Sequence, residues 1–122
     1  MSDEPDLRTD VARELMREGI RMRATPGFFL ARLTRGGPYV AVCVERAEQG
    51  WRAIVNGEAG NWHPDPALAQ GVDLAAMWGT EVSEGDYRLV AERAAWARQY
   101  DTDAPEAKPL ERYDPATARP IF

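Results

Sequence analysis

Phe28-Phe-Leu-Ala-Arg-Leu-Thr34, Arg35-Gly-Gly-Pro38, Tyr39-Val-Ala-Val-Cys-Val-Glu45 and, after Gln49-Gly50, Trp51-Arg-Ala-Ile-Val-Asn-Gly57 form the stretch whose reading decides the fold. Each piece alternates its side chains with a period of two, is rich in β-branched and aromatic residues, and is bounded by turn residues. Three consecutive antiparallel strands follow. Val40, Val42 and Val44 fall on one face of the middle strand, and Tyr39, Ala41, Cys43 and Glu45 on the other. The Gly-Gly pair at 36–37 supplies the positive φ of a hairpin, and Pro38 opens the next strand where a missing N–H does little harm. Asn56-Gly57 is a second hairpin signal, which adds a short return strand through Glu58-Ala59. No other stretch offers so continuous an apolar surface, so the rest of the chain is expected to pack against it.

Working outward, residues 2–23 read as a helix. Ser2 or Asp3 can cap it, Pro5 suits the first turn, and acidic residues gather at its start. Val11, Ala12, Leu15, Met16, Gly19, Ile20 and Met22 recur at helical spacing, while Asp10/Arg13, Glu14/Arg17 and Glu18/Arg21 are spaced for i,i+3 pairing. Such a helix either covers its own sheet or serves as an oligomerisation or partner-binding arm. Downstream, Ser83-Glu-Gly-Asp86 has capping-box spacing and opens a helix over 84–100. Tyr87, Val90, Ala91, Ala94 and Ala97, with Leu89 and Trp96, read as two neighbouring stripes facing the sheet.

Between these lies 60–79, which periodicity leaves open. Asp65-Pro66 is compatible with a short helix through Ala67–Gln70, and Asp73–Trp78 with a helical turn or a last edge strand. After Tyr100 the acidic, proline-bearing run Asp101–Pro109 ends the helix, and 101–122 reads as an extended tail closing in Ile121-Phe122. The expectation is one α+β domain over 1–122: a small antiparallel meander of three to four strands (28–59), packed by an N-terminal and a C-terminal helix, with that tail.

The chain has 122 residues, 20 acidic and 15 basic, for a net charge of −5. The charges of both signs are interspersed, which disfavours nucleic acid or an anionic membrane surface as partner. Fourteen of the fifteen basic residues are Arg, the residue of bidentate carboxylate pairing. No apolar run is long enough for a membrane span, and Met1-Ser-Asp-Glu-Pro-Asp6 does not resemble a signal peptide, so a cytoplasmic setting is expected.

The chemistry is sparse. Cys43 is the sole cysteine and sits in the most apolar strand, which makes it a small core residue without an evident base. His63 is the sole histidine, which removes multi-histidine zinc sites and most nucleophilic triads. Gly36-Gly37 lacks both phosphate-loop patterns. No carboxylate pair stands in an apolar setting of the kind acid–base catalysis needs. No catalytic residue, metal site or cofactor is therefore expected.

Binding is the remaining reading. Trp51 and Trp96 read as core, whereas Trp62 lies in an Asn/His/Pro loop, and Trp, Tyr and Arg dominate binding hot spots. The expected partner-binding residues are Trp62, Arg32, Arg35 and Phe122, the partner being a protein. Two alternatives draw on other features. One is a small-ligand binder or enzyme with a sheet–helix pocket using His63, Asp65 or Tyr87. The other is a virion structural or assembly protein, a homo-oligomer through residues 2–23.

Pro26-Gly-Phe-Phe-Leu-Ala-Arg-Leu33, Arg35-Gly-Gly-Pro-Tyr-Val40, Asn56-Gly57, Tyr87-Arg88, Ala94-Ala-Trp-Ala-Arg98, Asp103-Ala-Pro-Glu-Ala107 and Pro120-Ile-Phe122 together resemble a group of small proteins encoded by phages and prophages of GC-rich bacteria. The resemblance spans about residues 26–122, and residues 1–25 depart from it. It implies an accessory protein acting in the cytoplasm of a bacterial host by binding a host or phage protein. Inhibition of a host protein, including anti-CRISPR or other anti-defence activity, is one form such binding takes. None of these motifs is catalytic.

Overall fold

The computed structural model describes residues 4–107, with side chains from Asp10 onward. The chain runs α1 (Glu4–Arg23), β1 (Gly27–Arg32), β2 (Tyr39–Ala47), β3 (Gly50–Val55), β4 (Glu58–Ala59), α2 (Val72–Trp78), β5 (Thr80–Glu81) and α3 (Glu84–Tyr100), then a 3₁₀ turn at Pro105–Ala107. The α+β fold expected from the pattern is present. All strands are antiparallel, in the order β4-β3-β2-β1-β5. The meander occupies the predicted positions, and β5 adds a fifth strand by pairing with Phe29 and Leu30 of β1.

Register sorts the side chains. Phe29 faces Val42, and Val44 faces Ala53, so these residues share one side with Ala31 and Val40. On that side they form the main core with Ala69, Val72 and Ala75. Ala41 and Cys43 point the other way, where α3 covers β2 and β1 with the buried Ala94 and Ala97. The sheet is thus sandwiched between α2 and α3. Alanine on both contacting surfaces lets α3 approach closely, which explains its alanine-rich stripe.

Several local expectations resolve. Ser83 does cap α3, its hydroxyl accepting the Asp86 N–H at 3.2 Å. Residues 72–78 are helical, and the edge strand comes immediately after them. Residues 65–71 form turns rather than a helix: Asp65 Oδ1 accepts the Ala67 N–H at 2.9 Å, an Asx turn that competes with helix. The tail does not begin extended, because Asp101–Ala107 folds into turns against α3, with Ala104 N–H donating to the Asp101 carbonyl at 3.0 Å.

Two corrections concern helix faces. Among the described apolar residues of α1 only Ile20 is buried, and the helix packs on α2 instead of on the sheet. In α3, Trp96 is 56 % exposed and Leu89 is also exposed, so neither is core. At about 100° per residue, Leu89, Trp96 and Tyr100 lie roughly 90–130° round the helix from the Val90–Ala94–Ala97 stripe. They cannot share its face.

Candidate functional site

The β1–β2 hairpin gathers the richest set of recognition side chains. Arg32 ends β1 directly opposite Tyr39, and its guanidinium lies 4.3 Å above the Tyr39 ring. That geometry is a cation–π contact, which holds the long side chain in one orientation. The Thr34 carbonyl accepts the Gly37 N–H at 3.0 Å, and Gly36 takes φ 75°, a value that glycine adopts without strain. This turn sets the exposed Arg35 at the hairpin tip. Trp78, the last residue of α2, is 58 % exposed and arrives beside the hairpin because β5, two residues later, pairs with β1. Arg32, Arg35, Tyr39, Leu74, Trp78 and Thr80 line one open cleft of about 510 Å³.

Trp62 belongs elsewhere. Its neighbour His63 bridges to Trp51, with N–H to carbonyl bonds of 2.7 and 2.8 Å in both directions. Trp62 is therefore half-buried under the Arg52 guanidinium, 4.5 Å from its ring centre. Arg52 also donates from Nε to Glu45 Oε2 at 3.0 Å. Glu45 stands six residues along β2 from Tyr39, roughly 20 Å away. The structure brings Arg32 and Arg35 together, separates them from Trp62, and leaves Phe122 outside the described residues.

The residues weighed for a pocket do not converge. Tyr87 packs on Phe28, ring centres 4.9 Å apart, on the α3 side of the sheet beside Cys43. Because Trp51 alternates with Arg52, the His63 bridged to Trp51 lies on the opposite face. His63 Nδ1 accepts the Asp65 N–H at 3.1 Å. Burial, with Glu45 adding to it, pushes the Cys43 thiol up, which keeps it protonated and a poor nucleophile. Burial likewise raises Tyr87. The sheet–helix cleft of about 440 Å³ is lined instead by residues such as Asn56, Glu58, Asp73 and Arg98. Among the described residues no group of three or more His, Cys, Asp or Glu is placed to hold a metal ion, and no helix is long and apolar enough to cross a membrane.

Asp65 does have a definite role, as a tie between α1 and the loop. Arg21 donates to it from Nε at 3.3 Å and from its terminal nitrogen at 3.0 Å. The hydrogen bond from Arg21, reinforced by the Ala67 N–H, holds the Asp65 carboxyl below its ordinary value. A carboxyl depressed in the folded state stabilises the fold above its unfolded pKa, and that contribution disappears as pH falls through the folded value. The chain should therefore lose stability below about pH 4. Asp65→Asn should flatten that acid limb in urea unfolding measured across pH, while an unchanged limb would assign the loss to other carboxylates.

Trp78 and Tyr39 are the site residues that sequence reasoning passed over. The available signal was weak: Tyr39 opens a strand on its polar-ended face, and Trp78 precedes a glycine. The chain matches no protein-family model, no curated protein and no solved structure.

Proposed function

We propose that the protein is a non-enzymatic protein-binding module that engages its partner through the hairpin end. The reading is carried by one observation, the convergence of Arg32, Arg35, Tyr39 and Trp78 on an open cleft. These are the side-chain types that supply most interface energy, because they combine large apolar area with directed hydrogen bonding. Two guanidinium groups beside aromatic rings suit a partner surface that presents a carboxylate next to an apolar residue. The setting that fits the resemblance above is a phage-type accessory protein that modulates a host protein. The pocket alternative has no shared site, since His63 and Tyr87 stand on opposite faces of the sheet.

The test is retention of a stoichiometric protein from a GC-rich bacterial host lysate, followed by calorimetry with that purified partner. Arg35→Ala and Trp78→Ala should each weaken binding about tenfold or more without lowering the melting temperature, since both side chains are exposed. Trp62→Ala should leave affinity within about threefold. Binding that depended on Trp62 and ignored Trp78 would move the interface to the opposite end of the sheet.

A further inference from the structure

The outward face of α3 carries an apolar stripe that the fold begins to cover. Leu89, Trp96 and Tyr100 are 62, 56 and 67 % exposed. Their i, i+7, i+11 spacing holds them within about 40° of one another round the helix. The Trp96 and Tyr100 ring centres are 5.8 Å apart, which joins the two rings into one aromatic surface. The chain does not leave α3 after Tyr100. Asp101–Ala107 folds back on the helix, so that Leu89, Glu92 and Trp96 face Asp101, Ala104 and Glu106 across an open groove of about 600 Å³. Ala104, Glu106 and Ala107 are half-buried by this fold-back.

Two observations indicate what fills the rest of the groove. The first is connectivity. The chain passes out of the described residues at Ala107, next to Glu106 on the groove wall, and continues Lys108-Pro-Leu-Glu-Arg-Tyr113. At no more than about 3.6 Å per residue, Leu110 lies within about 11 Å of Ala107 and Tyr113 within about 22 Å, so both large apolar side chains can reach the stripe. A segment tethered this closely acts at an effective concentration on the order of millimolar, which a second copy or a foreign partner would have to outcompete.

The second observation is charge. Glu92, Asp101 and Glu106 outnumber Arg93 around the groove. None of the four makes an ion pair with another described residue. In the segment that follows, Lys108 and Arg112 outnumber Glu111, so an acidic groove meets a basic segment.

We infer that residues 108–113 dock on α3 of their own chain, seating Leu110 and Tyr113 against Leu89 and Trp96, with Lys108 and Arg112 beside the acids of the groove. The groove shares no residue with the hairpin cleft, so this closure leaves that binding end open.

Paramagnetic relaxation in the full chain tests it. In a Cys43→Ala background, a nitroxide attached at Gln99→Cys, an exposed position on α3, should strongly broaden the amide signals of 110–113. The tether alone brings these residues toward the label, so comparison with variants decides. Leu110→Ser combined with Tyr113→Ser, and separately Trp96→Ser, should each reduce the broadening about threefold or more. Far-UV circular dichroism confirms that each variant keeps its helices. Broadening that is weak in the parent, or equal in the parent and both variants, overturns the inference. Mixing isotope-labelled chain that lacks the nitroxide with unlabelled chain that carries it should leave 110–113 sharp. Broadening in that mixture would place the segment on a second copy and overturn docking within the chain.

Discussion

Gly50→Ala should destabilise the fold by about 3–4 kcal/mol, the largest effect expected of any single methyl group here. Gly50 pairs with Ala47 across the β2–β3 turn and takes φ 115°, a conformation that side chains with a Cβ rarely adopt. A Cβ at this position would meet the His63 carbonyl oxygen at 2.2 Å and the His63 carbonyl carbon at 2.6 Å. Both are backbone atoms, so no rotamer change relieves the overlap and the 60s loop must move away. That movement breaks the two Trp51–His63 hydrogen bonds and lifts Trp62 off Arg52. Urea unfolding should show the lower stability, and Trp fluorescence should shift to the red as the indoles become wetter. A loss under about 1 kcal/mol would mean that the loop adapts more easily than its hydrogen bonding implies.

Asn56→Ala should cost about 2–4 kcal/mol for a different reason. β3 ends at Val55, which pairs with Val42, so Ala41 has no strand residue opposite it on that side. Buried Asn56 completes the ladder in its place. Its own N–H donates to the Ala41 carbonyl at 2.8 Å, and its side-chain Oδ1 accepts the Ala41 N–H at 2.9 Å. It does so from φ 49°, the left-handed region that Asn tolerates better than most residues. Alanine would leave the Ala41 N–H buried and unpaired, and would strain the turn as well. Asn56→Gly separates the two causes: it relieves the strain but not the missing acceptor, so it should be milder than Asn56→Ala. If Asn56→Gly were as stable as the parent chain, the Oδ1 bond would contribute nothing measurable. Asn56→Asp keeps the acceptor but buries a charge, and should lose stability as the carboxylate ionises.

What could be read from the chain follows from how local each signal is. The three long strands declare themselves through period-two alternation, because a strand half-buried on each face repeats every two residues whatever lies above it. The capping of α3 by Ser83 is equally local, a bond across three residues. Thr80-Glu81 could not be read this way: two residues carry no periodicity, and they become a strand only because β1 has an open edge beside them. Leu89 and Trp96, large apolar residues at helical spacing, have the pattern of buried side chains, yet both are exposed. The alanines at 91, 94 and 97 are what the sheet accepts, for it leaves no room there for an indole.

The candidate site divides along the same line. Arg32 and Arg35 were legible as an exposed pair beside a glycine turn, and Trp62 as an aromatic in a polar loop. Their separation, and the arrival of Trp78 beside Tyr39, depend on the path through α2 and β5, which no window of sequence contains.

By itself, then, the sequence determined the class of fold, the positions of β1 to β4 and the two long helices, all properties of spacing and turn residues. Only the tertiary structure decided which apolar faces are covered and which are left open: α1 turns Val11, Leu15 and Met22 outward, and the hairpin end collects Arg32, Arg35, Tyr39 and Trp78. The physical reason is that a periodic pattern records only that a helix has an apolar side. Which surface covers it depends on the space left by elements that are distant in the chain.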